Sequence, residues 1–209
     1  MLGLGQPSDE QVMGRVQADG DAEAFALLVA RWQAPVQSLC WRMLGDRHRA
    51  EDLTQETFAR LFSRRAQYRP AARFSTYLWQ IALNLCRDEL RRRGRNREDS
   101  FPGEAVEELP RESALAEPES PRPDIQLSEQ ERAQSVRDAL AQLSPLYREV
   151  LVLRHYEGLK FREIAAVLEI PEGTVKSRMV EALDRMAALL ERGGGSDPVP
   201  RRDLENFVL

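Results

Sequence analysis

Residues 161–180 read FREIAAVLEIPEGTVKSRMV and set a row of polar side chains along one short helical stretch. Thr174, Lys176, Ser177, Arg178 and Glu181 carry hydroxyl, ammonium, guanidinium and carboxylate groups that can meet base edges and phosphates. A second set lies upstream, where Tyr77 and Trp79 precede Arg87 and Arg91–Arg93. Aromatic rings beside arginines suit unpaired bases and their backbone. A third set is Asp52, Gln55 and Glu56, with Leu53, Phe58 and Phe62 adjoining. Carboxylates and an amide on one side of a helix can pair with basic and polar groups of a partner helix. All three sets do recognition chemistry. No nucleophile with an adjacent base emerges, so no enzyme is expected. His48 and His155 are the only histidines, and Cys40 and Cys86 lack metal-ligand spacing. No metal and no cofactor is expected.

These residues need helices to position them. Phe25, Leu28, Val29, Trp32, Val36, Leu39, Cys40 and Met43 step by three and four, an amphipathic stripe with Pro35 as a potential kink. Ala50, Leu53, Thr57, Phe58, Leu61 and Phe62 form a second stripe. Phe74, Tyr77, Leu78, Ile81, Ala82 and Leu85 form a third, with Trp79 off the stripe. Ser128-Glu129-Gln130-Glu131 reads as a capping box that opens a new helix, and Ser144-Pro145 opens the next. No sustained period-two run occurs, so the fold class is all-α.

Within 161–180 the spacing matches a helix-turn-helix. Ala165 is small where the second helix must cross closely, and Ile164, Leu168, Ile170 and Val175 take buried positions. Pro171 and Gly173 supply the bend. Many such motifs have Gly where Glu169 stands. An ordinary helical hairpin shares the spacing, and its outer residues would then be a solvated charged face.

At 209 residues, 42% hydrophobic and 31% charged, the chain reads as a folded protein. No apolar run is long enough for a membrane span, and no signal peptide is read, so cytoplasmic localisation without membrane insertion is expected. The net charge of −4 is uneven. Residues 1–97 carry about +5 and residues 98–128 about −7, with five prolines in the latter. The expected organisation is therefore a helical domain at 1–97, an acidic flexible linker at 98–128, a helix-turn-helix domain at 129–192 and a mobile tail at 193–209.

Two helical halves, an acidic linker and this motif resemble the extracytoplasmic-function group of the sigma-70 family, over about residues 9–192. LSPLYREVLVLRHYEGLKFREIAAVLEIPEGTVKSRMVEAL (143–183) is similar to region 4, which binds the −35 promoter element. AEDLTQETFARLF (50–62) is similar to region 2.2, which docks on the clamp coiled coil of core RNA polymerase. RFSTYLWQIALNLCRDELRRRGR (73–95) is similar to regions 2.3 and 2.4, which melt and read the −10 element.

The resemblance implies core-binding residues Asp52, Leu53, Gln55, Glu56, Phe58 and Phe62. It implies −10 contacts by Arg73, Tyr77, Trp79, Asn84, Arg87 and Arg91, and −35 contacts by Thr174, Lys176, Ser177, Arg178 and Glu181. The 67–73 loop resembles the one that accepts a flipped −10 base. The implied partners are core RNA polymerase (clamp coiled coil and flap), promoter DNA and an anti-sigma factor. The implied function is to direct initiation at a specific, signal-responsive regulon. Glu181 departs from the common pattern, in which a basic residue is frequent, and Val180 replaces an occasional aromatic. The alternative is a dimeric helix-turn-helix repressor or activator that works without polymerase docking.

Overall fold

Ser8 opens the first helix with a capping box. Its hydroxyl accepts the Gln11 N–H at 3.3 Å and its own N–H donates to the Gln11 side chain at 3.0 Å. The structure, a computed structural model, describes residues 7–69, 73–99 and 123–192. Helix α1 spans Asp9–Asp19 and ends at Gly20, whose φ of 65° lets its N–H turn back to the Val16 carbonyl. This helix is absent from the sequence expectations. Helix α2 (Ala22–Leu44) starts on the Asp21 carboxylate and stays helical through Pro35. Helix α3 (Arg47–Ser63) starts on Asp46, and a single 3-10 turn, Arg65–Gln67, follows it. Helix α4 (Phe74–Asp99) continues through Gly94. These four helices bury Met13, Leu28, Leu39, Met43, Leu53, Leu61, Phe74 and Leu78 as one apolar centre.

A buried carboxylate ties α3 to α4. Glu89 receives Arg49 at 3.0 Å and Arg93 at 3.1 Å, and Arg93 also reaches Asp46 at 2.8 Å. Burial works against the Glu89 charge, but the two arginines outweigh it and hold its carboxyl below the ordinary range. Part of the arginine run is therefore framework.

The second bundle holds α5 (Pro123–Gln142), α6 (Pro145–Leu151), α7 (Phe161–Leu168) and α8 (Glu172–Arg192). Helix α5 begins at Pro123, a residue type suited to a first helical position. The capping box expected at Ser128 is thus corrected, because Ser128 lies inside a helix that has already begun. Ser144 does cap α6, with Pro145 in the first turn, although its hydroxyl makes no cap hydrogen bond. Helix α6 widens into a π turn at Val152–Tyr156. Between α7 and α8, Glu169 takes φ 56° and ψ 42°, the left-handed region, and its N–H bonds to the Ala165 carbonyl. Among the described residues the fold is all-helical.

The two bundles share one apolar cluster. Arg148, on α6, crosses from one to the other. It donates to the Met43 carbonyl at the end of α2 and to the Ala141 and Leu143 carbonyls at the end of α5. Only 6% of Arg148 is exposed, and burial lowers its pKa. Arg42 lies 3.8 Å above the Tyr156 ring at the same junction. Residues 100–122, most of the expected linker, and the expected tail at 193–209 lie outside the described residues.

Candidate nucleic-acid interface

One helical stripe gathers most of the polar residues expected to face −10 DNA. Arg73 immediately precedes α4, and Tyr77, Asn84, Arg87 and Arg91 follow at spacings that return to one side of the helix. Gln80 belongs to the same stripe and was not foreseen. Its i+3 and i+7 spacing from Tyr77 and Arg73 is legible in the sequence once the stripe is drawn.

Beside this stripe lies a depression of about 130 Å³, lined by Arg60, Arg64, Gln67, Tyr77, Gln80, Ile81 and Asn84. Arg60 and Arg64 stand one turn apart at the end of α3, and their contribution was also not foreseen. The lining combines an aromatic ring, an apolar wall, three side-chain amides and two cations. Amides offer both donors and acceptors, and the ring offers a stacking face, so the chemistry suits a flat heteroaromatic group joined to an anion. Tyr77 is half-buried, its hydroxyl donates to the Arg64 carbonyl at 3.4 Å, and its ring sits 5.6 Å from that of Tyr68. Burial raises its pKa. Gln67 is the first residue of the expected base-accepting loop; residues 70–72 of that loop lie outside the described residues.

Trp79 requires a correction. It is 2% exposed, edge-on to Trp32 with ring centroids 5.5 Å apart. It packs the core, and the half-buried aromatic at the surface is Tyr77. Arg91 is exposed and pairs with Asp88 at 2.6 Å.

The α3 face divides in the same way. Asp52 and Gln55 are exposed and Glu56 is partly exposed. Leu53 and Phe58, 1% and 6% exposed, belong to the core and offer no contact surface, which corrects their expected role. Phe62 is half-buried, with Phe25 at 5.0 Å on one side and Arg65 stacked on it. Glu56 holds Arg60 at 2.6 Å, joining the acidic face to the depression.

On α8, Val175, Met179, Ala182 and Met186 point into the bundle. Lys176, Ser177 and Glu181 are exposed, and Val180 is 60% exposed among them. Lys176 pairs with Glu172 at 2.7 Å, Ser177 donates to the Gly173 carbonyl at 3.0 Å, and Glu181 pairs with Arg185 at 2.7 Å. Thr174 and Arg178 are half-buried at the flank. Arg178 does not pack on Glu149 or Glu163, whose carboxylates are taken by Arg87 and Arg73.

The family model described as sigma-70 region 2 matches residues 28–96, and the one described as sigma-70 region 4 matches residues 133–186. The RNA polymerase sigma-H factor of Pseudomonas aeruginosa is 35% identical over 189 residues, covering 90% of this chain and 96% of that protein. The chain belongs to the extracytoplasmic-function sigma factors of the sigma-70 family. The sigma-E factor of Escherichia coli K12, named as one of this group, is 35% identical over 179 residues, covering 85% of this sigma factor and 91% of its own length. The sigma factor RpoE of Bartonella quintana, solved with the anti-sigma factor NepR, has a TM-score of 0.63 and 23% identity, covering 81% of this chain and 98% of its own. At that identity the likeness extends to the fold. The region 2 match contains the α3 face and the α4 stripe, and the region 4 match contains α7 and most of α8. No described helix is long and apolar enough to cross a membrane.

Proposed function

We propose that this sigma factor is a non-catalytic, cytoplasmic subunit that docks on core RNA polymerase, opens and reads a −10 element, and reads a −35 element. The observation that carries this reading is the α4 stripe of Arg73, Tyr77, Gln80, Asn84 and Arg87 beside a base-sized depression. A base drawn from the stack costs a few kcal/mol, about what one good stack and its hydrogen bonds return. Helix α8 enters the −35 major groove through Lys176, Ser177 and Glu181, with Thr174 and Arg178 toward the flanking backbone. Asp52, Gln55 and Glu56 form the polar docking face for the polymerase clamp. An anti-sigma factor restrains the protein until a signal arrives, a reading supported by the complex of Bartonella quintana RpoE with the anti-sigma factor NepR. A dimeric repressor gives no role to the acidic α3 face or to the depression.

The docking face supplies the test. Asp52→Arg combined with Gln55→Ala alters two exposed side chains and leaves the α3 core untouched. Charge reversal at a docked face costs several kcal/mol. The double variant is expected to fold normally by circular dichroism and to lose co-purification with core polymerase. Normal holoenzyme assembly by that variant would show that the docking face lies elsewhere.

A further inference from the structure

Helix α1 reaches the frame of the depression without lining it. Asp9 anchors this helix to α2, accepting Arg31 at 2.8 Å and the Trp32 indole N–H at 2.9 Å. Glu10 and Gln17 stand seven residues apart, so they share one face of α1, about 10 Å apart along its axis. The half-buried Gln17 amide donates to the Tyr68 carbonyl at 2.8 Å and to the Ala66 carbonyl at 3.3 Å. The Glu10 carboxylate accepts the N–H of Phe74, the first residue of α4, at 3.1 Å. Both side chains serve backbone groups that local structure leaves over. In the short 3-10 turn the Gln67 and Tyr68 N–H groups take the Arg64 and Arg65 carbonyls, not those of Ala66 and Tyr68. The first N–H groups of a helix have no partner within it.

From these contacts we infer that α1 is the positioning element of the depression, with Gln17 and Glu10 as positioning residues for the turn and the helix that wall it. This rests on the assignment of the depression to a −10 base made above. Gln67 lines the depression and sits between the two residues whose carbonyls Gln17 holds. Tyr77, Gln80 and Asn84 line it from α4, whose first N–H Glu10 holds. Tyr68, 2% exposed, joins the two walls, its ring 5.6 Å from that of Tyr77 and 6.3 Å from that of Phe74. The side-chain types fit the task. A carboxamide brings two N–H donors to two carbonyls, and an ionised carboxylate brings only acceptors, as the Phe74 N–H requires. Walls fixed in advance spare the entropy of ordering them when a base enters. Neither Gln17 nor Glu10 is among the lining residues, so both act through the groups they hold.

The test uses the full chain in reconstituted holoenzyme and fluorescein-labelled single strands read by anisotropy. The probes are oligo-dA, oligo-dT, oligo-dC and an all-abasic strand of the same length and charge. The ratio of the best base-bearing affinity to the abasic affinity measures what the bases contribute beyond phosphates. Tyr77→Ala is expected to lower that ratio about tenfold, the worth of one base stack. Gln17→Met keeps the length of the side chain and removes both donors. It is expected to lower the ratio about threefold to tenfold, with abasic affinity and salt slope unchanged because no phosphate contact is lost. Glu10→Ala should do the same, and Glu10→Gln should restore the wild-type ratio, since its amide oxygen still accepts the Phe74 N–H. Wild-type ratios in Gln17→Met and Glu10→Ala, with Tyr77→Ala still lowering it, would overturn the positioning role alone. Equal losses on base-bearing and abasic strands would also overturn it, by showing that α1 supports only the fold. A ratio indifferent to Tyr77→Ala would overturn the base assignment and the positioning role with it. If Gln17→Met does not fold, the contrast between Glu10→Ala and Glu10→Gln decides by the same readings.

Discussion

Tyr77 and Trp79 stand two residues apart on α4, about 200° around its axis, and meet opposite fates. Trp79 closes on Trp32 in the core, while Tyr77 borders the depression. Trp79→Ala is therefore expected to destabilise the fold by about 3–5 kcal/mol, read by chemical denaturation. Tyr77→Ala should fold and should weaken single-strand binding by the holoenzyme by about 1–3 kcal/mol, the worth of one base stack. Equal loss of stability from both substitutions would return Tyr77 to the core. The sequence reading puts both rings at the DNA face, with Trp79 off the apolar stripe, and the burial of Trp79 has a physical reason. Helices α1, α2 and α3 all pack on α4, so Leu83 and Cys86 are fully buried along with Leu78 and Ala82. A narrow apolar stripe cannot describe a helix buried over so wide an arc. Leu53 and Phe58 follow the second apolar stripe into the core, and the docking role expected of them came from the family resemblance alone.

At the scale of elements, the helix-turn-helix was legible because its constraints are local. Ala165, Ile164, Leu168 and Val175 follow from a close crossing, and Pro171 and Gly173 from the bend. Glu169 is the exception, a side chain in a left-handed conformation that glycine adopts without strain. Its carboxylate lies 3.5 Å from the Gln80 amide, at the exposed edge of the junction. Glu169→Gly should relieve about 1 kcal/mol of backbone strain and raise the unfolding midpoint by about 2–4 °C, measured by differential scanning calorimetry. An unchanged or lowered midpoint would mean that the contact with Gln80, or the entropy of the unfolded glycine, outweighs the strain. Helix α1 was missed although Ser8 and Gln11 carry its capping signature, because its apolar residues Val12, Met13 and Val16 make only a short stripe. The start of α5 was missed because acids and prolines mark a linker by composition and say little about where a helix begins.

For the whole molecule, the junction between bundles is what sequence periodicity could not supply, since each of its contacts joins residues far apart in the chain. That junction places Glu157 beside Arg42, with His155 and Tyr156 next to it. Burial raises the Glu157 carboxyl from 4.5 to about 7, and Arg42 offsets this only in part. The folded state thus holds the Glu157 proton more tightly than the unfolded state. This contribution to stability is fully present below pH 4.5 and is lost as pH rises through about 7. His155 acts in the opposite sense. Burial and Arg42 lower its pKa below 6.5, so stability falls as the histidine is protonated on acidification. Glu157→Gln removes the first effect alone. Thermal unfolding of the variant should lack the fall in stability that Glu157 contributes as pH rises from 4.5 through about 7, leaving the opposite trend, a loss on acidification, from His155. Because Arg42 lies on α2 and Glu157 follows α6, the variant should also gain most over the wild type at and above pH 7, where the wild-type carboxylate is charged. Parallel pH profiles for the two proteins would show that Glu157 is hydrated in solution and that the junction does not bury it.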